Sequence, residues 1–445
     1  MSETITYQYN SQSEINRKNG FDELAFSKYA EVQKKDAPCF FWGKLTNPFI
    51  TARCLLTLSK VVKSSFNLSP FQLALLKDPI VTAGNEHIRF EGFSHCAGAY
   101  ARVDVLPDGH DGEFLENGTT NVDFNESMLS ALNEIRQKEK VVLSVGKKEV
   151  SLSKGGEKVI ERKVPLPTKW IKGLTCVQLF MADSEAVFEF NRVQAIQLIR
   201  SIPKGKIKTD YYLVQRGNRP QFSPVQTKNS VCVGGLHRLR LIEQLVPLAD
   251  KLQVFAHDNQ QSTTWQLYFG SVRFILSLSR DFWRGFSGEG AALEHLVEDV
   301  PNSWIEHFDK YSYANQAFNP TLLGADENID LNKIDNLTGR LSAMGLLGYD
   351  LNDNQYFYRR LPFKLNRILS LSPRLKGAEK LIAEGKVKII SKSANRVEAE
   401  VKGSGVAHMV LLEGEKQRCT CTWFSRHQGE RGICKHILAV KKIIS

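Results

Sequence analysis

A chain of 445 residues is too long for one ordinary domain and long enough to bury a large core, so roughly two to four domains are expected. Hydrophobic residues make up 42% and charged residues 24%, the range of a soluble globular protein, and no apolar run approaches the ~18 residues of a spanning helix. The net charge is +11, and eight cysteines are too dilute for a disulfide framework.

The opening sequence MSETITYQYNSQSEINRKNG has neither an apolar signal-peptide core nor a small-residue cleavage site, so a cytoplasmic location is expected. Residues 1–37 are polar with weak periodicity and read as a loosely held N-terminal arm. An α+β N-terminal domain is expected over 38–190. In it Leu55, Leu56, Leu58, Val61 and Val62 have helical spacing, and Ser69-Pro70 opens a second, short helix. His87–Glu91 and Ala99–Leu106 alternate like strands, and PDGHDG after Leu106 is turn chemistry. VVLSV and EVSLS form a hairpin around Gly146, and KVIERKV follows the Gly155-Gly156 turn.

A strand-rich α+β domain is expected over 191–330. Its helix lies within Phe190–Ile202, its strands are LQVFAH, TWQLYFG, VRFILSLS and FWRGF, and a helix returns at Glu289–Val297. Residues 331–371 then give a helical face (Ile334, Leu337, Leu341, Met344), followed by GLLGYD and QYFYRRLPF across a polar LNDN turn. A helix followed by a hairpin fits the end of a winged helix, or a unit packed into a neighbouring domain; both readings stay open. Over 372–445 the expected order is a helix from Pro373 closed by Gly385, the strands KVKIIS, RVEAEV, VAHMVLLE and KQRCTCTW, and a final helix in ICKHILAVKKII.

Charge and cysteine are both concentrated at this end. Residues 356–445 hold 19 Lys and Arg against 7 Glu, a balance of +12, while the preceding 355 residues hold 40 basic and 41 acidic groups. Such a patch attracts polyanions, nucleic acid above all, or is simply a solvated basic face. Cys39, Cys54, Cys96, Cys176 and Cys232 are scattered and read as core residues. The other three belong to Cys419-x-Cys421 and, after twelve residues, Cys434-x-His436. These are the soft and borderline ligands of a tetrahedral zinc ion, with thiolate near ~2.3 Å and imidazole near ~2.0 Å. A C-x-C pair on a strand points both sulfurs to one face, and a helix N-terminus at Cys434 favours a thiolate. Four protein ligands leave no open position for water, so the expected zinc ion, one per chain, is structural. His408 and His427 are rivals for the fourth place; His436 is preferred on spacing.

CTCTW and GICKHILAVKK together resemble the SWIM zinc finger, a family associated with DNA binding and protein–protein contact. A wider resemblance rests on RFEGFSHCAGAYARVDVLP, DGEFLENGTTNVDFN, IERKVPLPTKWIKG, RDFWRGFSGEGAAL and FYRRLPF, which look like the bacterial SWIM zinc finger family proteins. That resemblance implies partners, a MoxR-type AAA+ ATPase and a von Willebrand A-domain protein, and a link to conflict or stress systems.

No segment carries a complete catalytic set. Gly285–Gly290 (GFSGEG) fits neither phosphate-loop pattern, and Ser287 lacks the flanks of a nucleophile elbow. Asp104, Asp108 and Asp123, with the pair Glu161-x-Lys163, suggest a metal-dependent nuclease only if the fold assembles them; His95-Cys96 needs a third residue. The preferred expectation is a non-catalytic adaptor, with a metal-dependent nuclease carrying a SWIM targeting module as the alternative. Its nucleic-acid contacts are assigned to Arg359, Arg360, Arg426, Arg431, Lys435, Lys441 and Lys442. Lys364, Arg367, Arg374 and Lys376 lead into the finger. Trp423 and Phe424 either stack on bases or cap the small core.

Overall fold

The chain is mixed α and β throughout. The computed structural model describes residues 14–18, 21–25, 39–64, 79–164, 168–205, 207, 209–280, 285–287, 301, 303–305, 308, 331–359, 361, 372–403, 405–414, 416–429 and 432–444. The short helix at Ser69-Pro70, the helix at Glu289–Val297, most of FWRGF and residues Lys364 and Arg367 lie outside these. Among the described residues no helix is long and apolar enough to cross a membrane.

In chain order the strands are β1 Glu14–Lys18, β2 Phe21–Ala25, β3 Cys39–Leu45, β4 Ile80–Gly84, β5 His87–Phe93, β6 Ala99–Val105, β7 His110–Phe114 and β8 Gly118–Asn121. They continue with β9 Val141–Gly146, β10 Glu149–Lys154, β11 Glu157–Arg162, β12 Ser184–Asn191, β13 Tyr211–Arg216, β14 Arg219–Ser223, β15 Val231–Val233, β16 Lys251–His257, β17 Ser262–Tyr268 and β18 Val272–Ser279. The helices between them are α1 Pro48–Lys63, α2 Glu126–Glu134, α3 Thr168–Ala182 and α4 Arg192–Arg200. Three of these helices start at an asparagine cap: Asn47 accepts from Ile50 N before Pro48, Asn125 accepts from Met128 N at α2, and Asn191 with Gln194 closes a capping box on α4.

Two sheets form the platform. One has five strands in the order β11-β10-β9-β3-β7, and the other has eight, in the order β12-β16-β17-β18-β6-β5-β4-β8. β12 and β16–β18 are therefore continuous with β4–β6 and β8, and a single apolar core runs from Phe40 to Leu361. The division expected between 38–190 and 191–330 is thus corrected. It cuts a hydrogen-bonded sheet, because strands distant in sequence pair directly, Val103 opposite Phe274 and Val105 opposite Val272.

The faces of the large sheet differ. Val81, Phe90, Val103, Phe274, Leu267 and Leu252 lie on one face, by register, and are all buried. On the other lie Arg89 and Glu91, Arg102 and Asp104, Arg273, Gln266 and Thr264, also buried. A polar face is covered only if its groups find partners, and these come from far along the chain.

Those partners sit on α5 Leu331–Ala343 and the hairpin of β19 Leu347–Asp350 with β20 Gln355–Tyr358. Of the two readings of this helix-plus-hairpin, the structure takes the packed one. Asp350 receives Arg273 through Nη1 at 3.1 Å and Nη2 at 2.7 Å, and Arg89 lies 3.8 Å from it. Arg102 holds Asp104 at 2.9 Å and donates to Tyr349 O at 2.8 Å. Arg359 pairs with Glu91 and donates to Leu174 O at 3.0 Å, while Gln178 of α3 accepts from Tyr349 N at 2.7 Å. Burial by itself would raise Asp350, but Arg102, Arg273 and Arg89 outweigh it and hold the carboxyl well below its usual range.

The C-terminal module follows: α6 Pro373–Ala383, β21 Val387–Lys392, β22 Arg396–Lys402, β23 Ala407–Glu413, β24 Lys416–Cys419, α7 Thr422–His427 and α8 Lys435–Ile444. Its four strands pair antiparallel in sequence order. Val397, Ala399, Val401, Val410 and Leu412 meet Leu375, Ala378 and Leu381 of α6 and Ile437, Leu438 and Val440 of α8 in a core of their own.

Candidate zinc centre

Alternation along β24 turns Arg418 outward and Cys419 inward, where Cys419 lies opposite Val410. Thr420 prolongs the pairing, its N–H donating to Met409 O at 3.1 Å and its Oγ1 accepting from Met409 N at 3.0 Å. Cys421 lies beyond the strand as the N-cap of α7, and its Sγ accepts from Phe424 N at 3.4 Å. The spacer between the ligand pairs therefore contains a short helix where a loop was expected. Cys434 plays the same part at α8, with Sγ accepting from Ile437 N at 3.5 Å. Two of the three sulfurs thus receive a backbone N–H at a helix N-terminus, which favours thiolate.

Cys419, Cys421, Cys434 and His436 are all buried, and their ligand atoms all lie within 4.8 Å of one another. Among the described residues this is the group of His, Cys, Asp and Glu close enough to hold a metal ion. His436 Nδ1 is 3.8 Å from Cys419 Sγ, and His436 Nε2 is buried without a hydrogen-bond partner. Three thiols this close cannot all ionise unaided. Hydrogen bonds from Cys419 and Cys434 push the Cys421 thiol far down, and the hydrogen bond to Cys421 pushes Cys419 far up. A divalent cation at the centre removes that conflict by binding all the sulfurs as thiolates. The donor set suits a single zinc ion in a closed, structural site. Of the rivals, His408 stacks beside His436 at 4.5 Å between ring centroids, and His427 lies against Trp423.

The residues assigned to nucleic acid divide. Arg359 is a correction: it is 1% exposed and occupied by Glu91 and Leu174 O, because the hairpin turns it into the platform. Arg360 and Arg431 lie outside the described residues. Arg426 and Lys442 are exposed and Lys435 and Lys441 half-buried on the module, with Lys442 2.8 Å from Glu379. Arg374 donates to Ile433 O at 2.6 Å and lies over the Trp423 ring at 4.8 Å, so it braces the loop before Cys434. Trp423 and Phe424 are half-buried and pack against the module core; Trp423 takes the capping reading, while Phe424 also borders the open face of the sheet.

Three of the candidate catalytic residues, Asp104, Glu161 and Cys96, are engaged elsewhere in the fold. Asp104 is bound among arginines. Asp108 lies in an exposed turn. Glu161 accepts from Asn125 N at 3.2 Å and Asn125 Nδ2 at 3.1 Å, so it supports the N-cap of α2, and burial raises its carboxyl to about 7. Cys96 Sγ accepts from Arg238 at 2.6 Å; burial alone would raise the thiol, but the guanidinium more than offsets it.

Residues 408–443 match the SWIM zinc finger family model. No curated protein matches the chain in sequence. Among solved structures, the proliferating cellular nuclear antigen of Entamoeba histolytica aligns with 54% of this chain and 98% of its own, at 9% identity and a TM-score of 0.37. The A. fulgidus PCNA bound to the C-terminal region of FEN-1 aligns with 54% of this chain and 97% of its own, at 10% identity and a TM-score of 0.38.

Proposed function

We propose that this chain is a non-catalytic adaptor whose zinc-bound C-terminal module carries it to nucleic acid. The observation behind this reading is a closed four-ligand site inside a basic module. Residues 372–445 hold 15 Lys and Arg against 7 Glu. Four of those acids are already paired on the module: Glu379 with Lys442, Glu384 with Lys386, and Glu398 and Glu413 with Arg396. Lys416, Arg418 and Arg426 have no ion-pair partner among the described residues. A rigid, zinc-set surface bearing uncompensated cations is suited to phosphates, and such binding is weakly sequence-dependent and steeply salt-dependent.

The near-neutral platform is the assembly half of this reading, docking a MoxR-type AAA+ ATPase and a von Willebrand A-domain protein in the cytoplasm, in a defence or stress setting. Binding of labelled DNA and RNA to the zinc-loaded protein tests the first half. A log–log salt slope of about −0.9 per phosphate neutralised is expected on duplex. Arg426→Glu with Lys435→Glu should weaken binding at unchanged zinc content. Absence of binding at low salt overturns the nucleic-acid role. Co-expression of the three proteins followed by size exclusion tests the second half, and separate elution overturns it.

A further inference from the structure

The open face of the module's sheet carries a groove of about 760 Å³ between β24 and α7. That lies within the ~300–1,000 Å³ typical of ligand sites. Its apolar surface is Met409, Leu411 and Phe424, and Met409 is 42% exposed. Lys416 and Arg418 stand on its strand side, and Arg426 is exposed on α7 next to the lining residue Ser425. Gln428 on the rim is held at φ 43°, its N–H donating to Phe424 O at 2.7 Å, so the rim is fixed rather than a trailing loop. The acid in the groove, Glu398, is engaged by Arg396 at 2.5 Å.

We propose that this groove seats a single-stranded stretch of nucleic acid, with bases against Met409, Leu411 and Phe424 and phosphates on Lys416, Arg418 and Arg426. This rests on the nucleic-acid reading above and adds strandedness and place. In a duplex the base faces are stacked on one another and only phosphates and groove edges are offered, so an apolar floor would meet nothing. An unstacked base offers an apolar face to the floor. Cations along the strand side and on α7 track the backbone between them, which is the arrangement of single-strand binders.

The test uses the full chain loaded with zinc and fluorescence anisotropy on an oligothymidylate, an oligocytidylate and a duplex, each of about 20 nucleotides. Single strands should bind about tenfold tighter than duplex. Met409→Glu with Arg418→Glu should lower single-strand affinity by about tenfold or more, which is the scale of one lost stacked base plus a phosphate contact. Lys380→Glu with Lys392→Glu, on α6 behind the sheet and on its far edge strand β21, removes more positive charge and should cost less than about twofold. Met409→Ala, which trims the floor without adding charge, should fall between them, and zinc content should stay unchanged in every variant. If the protein binds but prefers duplex, or the distant pair loses as much as the groove pair, the groove is overturned while the nucleic-acid role stands. If wild type binds none of the three, both readings fall; retention on an acidic peptide lost in the groove variants would then put a protein there instead.

Discussion

In the platform, Arg89, Arg102, Arg273 and Arg359 face Glu91, Asp104 and Asp350 in a fully buried cluster; in the C-terminal module, three thiols and an imidazole face one another. The first cluster mixes signs, so its charges are met from within by guanidinium–carboxylate pairs, although atoms such as Glu91 Oε2 and Arg273 Nε keep no hydrogen-bond partner. The second brings together three thiols that ionise to anions and an imidazole whose neutral ring offers a lone pair, so all four are satisfied only around a cation. The first joins residues more than two hundred positions apart, such as Glu91 and Arg359, and so locks a late hairpin onto an early sheet. The second joins residues 419–436 and stabilises only the module around it. The buried cluster of both charges is tertiary glue, while the one of thiols and an imidazole lone pair is a metal site.

The largest effect should come from metal removal. Structural zinc contributes about 10–16 kcal/mol in small finger domains, more than a small domain's whole stability. Strong chelation, or Cys434→Ser, should abolish hydrogen-exchange protection across 372–444 and leave the platform strands protected. Loss of protection in both regions together would break the comparison. Elemental analysis should find about one zinc per chain in untreated protein.

Next in size is the ionic cluster. Arg359→Ala removes the ion-pair partner of buried Glu91, leaving it the Tyr100 hydroxyl at 2.6 Å, and should cost about 3–5 kcal/mol in denaturant unfolding of the platform, with zinc content unchanged. Pairing Arg359→Met with Glu91→Leu should recover most of it, because an apolar pair of similar size leaves no uncompensated charge. No recovery would mean that the cluster contributes more than pairing. Asp350 has a depressed carboxyl, so its contribution is present above its unfolded pKa and lost as pH falls through the lower folded value. Docking of the hairpin should therefore persist at mildly acid pH and weaken only in strong acid.

A smaller effect is expected at Arg374. Arg374→Ala removes the bond to Ile433 O and the contact with Trp423 and should lower the module's stability by about 1–3 kcal/mol, read as its melting temperature. The smallest effect is at Glu161, whose folded pKa of about 7 lies above its unfolded value. Its contribution is present below the unfolded pKa and lost as pH rises through about 7, so α2 should be better protected at pH 5 than at pH 8. Glu161→Gln should flatten that dependence, and an unchanged pH profile of amide exchange in residues 126–134 would refute the assignment.

Local pattern carried much of this fold. The alternation in VVLSV, EVSLS and KVIERKV became β9–β11, and LQVFAH, TWQLYFG and VRFILSLS became β16–β18, because a two-residue period with turn residues between is a local signal. α3 was not read although it is strongly apolar, and α2 was missed because its nine residues are a short stretch in which to see a helical period. The four metal ligands were legible because both pairs have tight spacing and the linking segment is short. Arg359 was misassigned for the opposite reason. In QYFYRRLPF nothing distinguishes an arginine that reaches solvent from one that meets Glu91, since its partner lies far away along the chain.

The amino-acid sequence alone determined the zinc ligands, the basic character of the last ninety residues or so and the order of most strands. Each follows from neighbours close along the chain, where spacing, charge and alternation act directly. Only the tertiary structure decided that β12 and β16–β18 complete the sheet begun by β4–β6, that the hairpin after α5 is docked by buried ion pairs, and that Asp104 and Glu161 are occupied structural carboxylates. Those outcomes depend on long-range pairing, in which burying a charge is tolerated only where an opposite charge arrives from elsewhere in the fold.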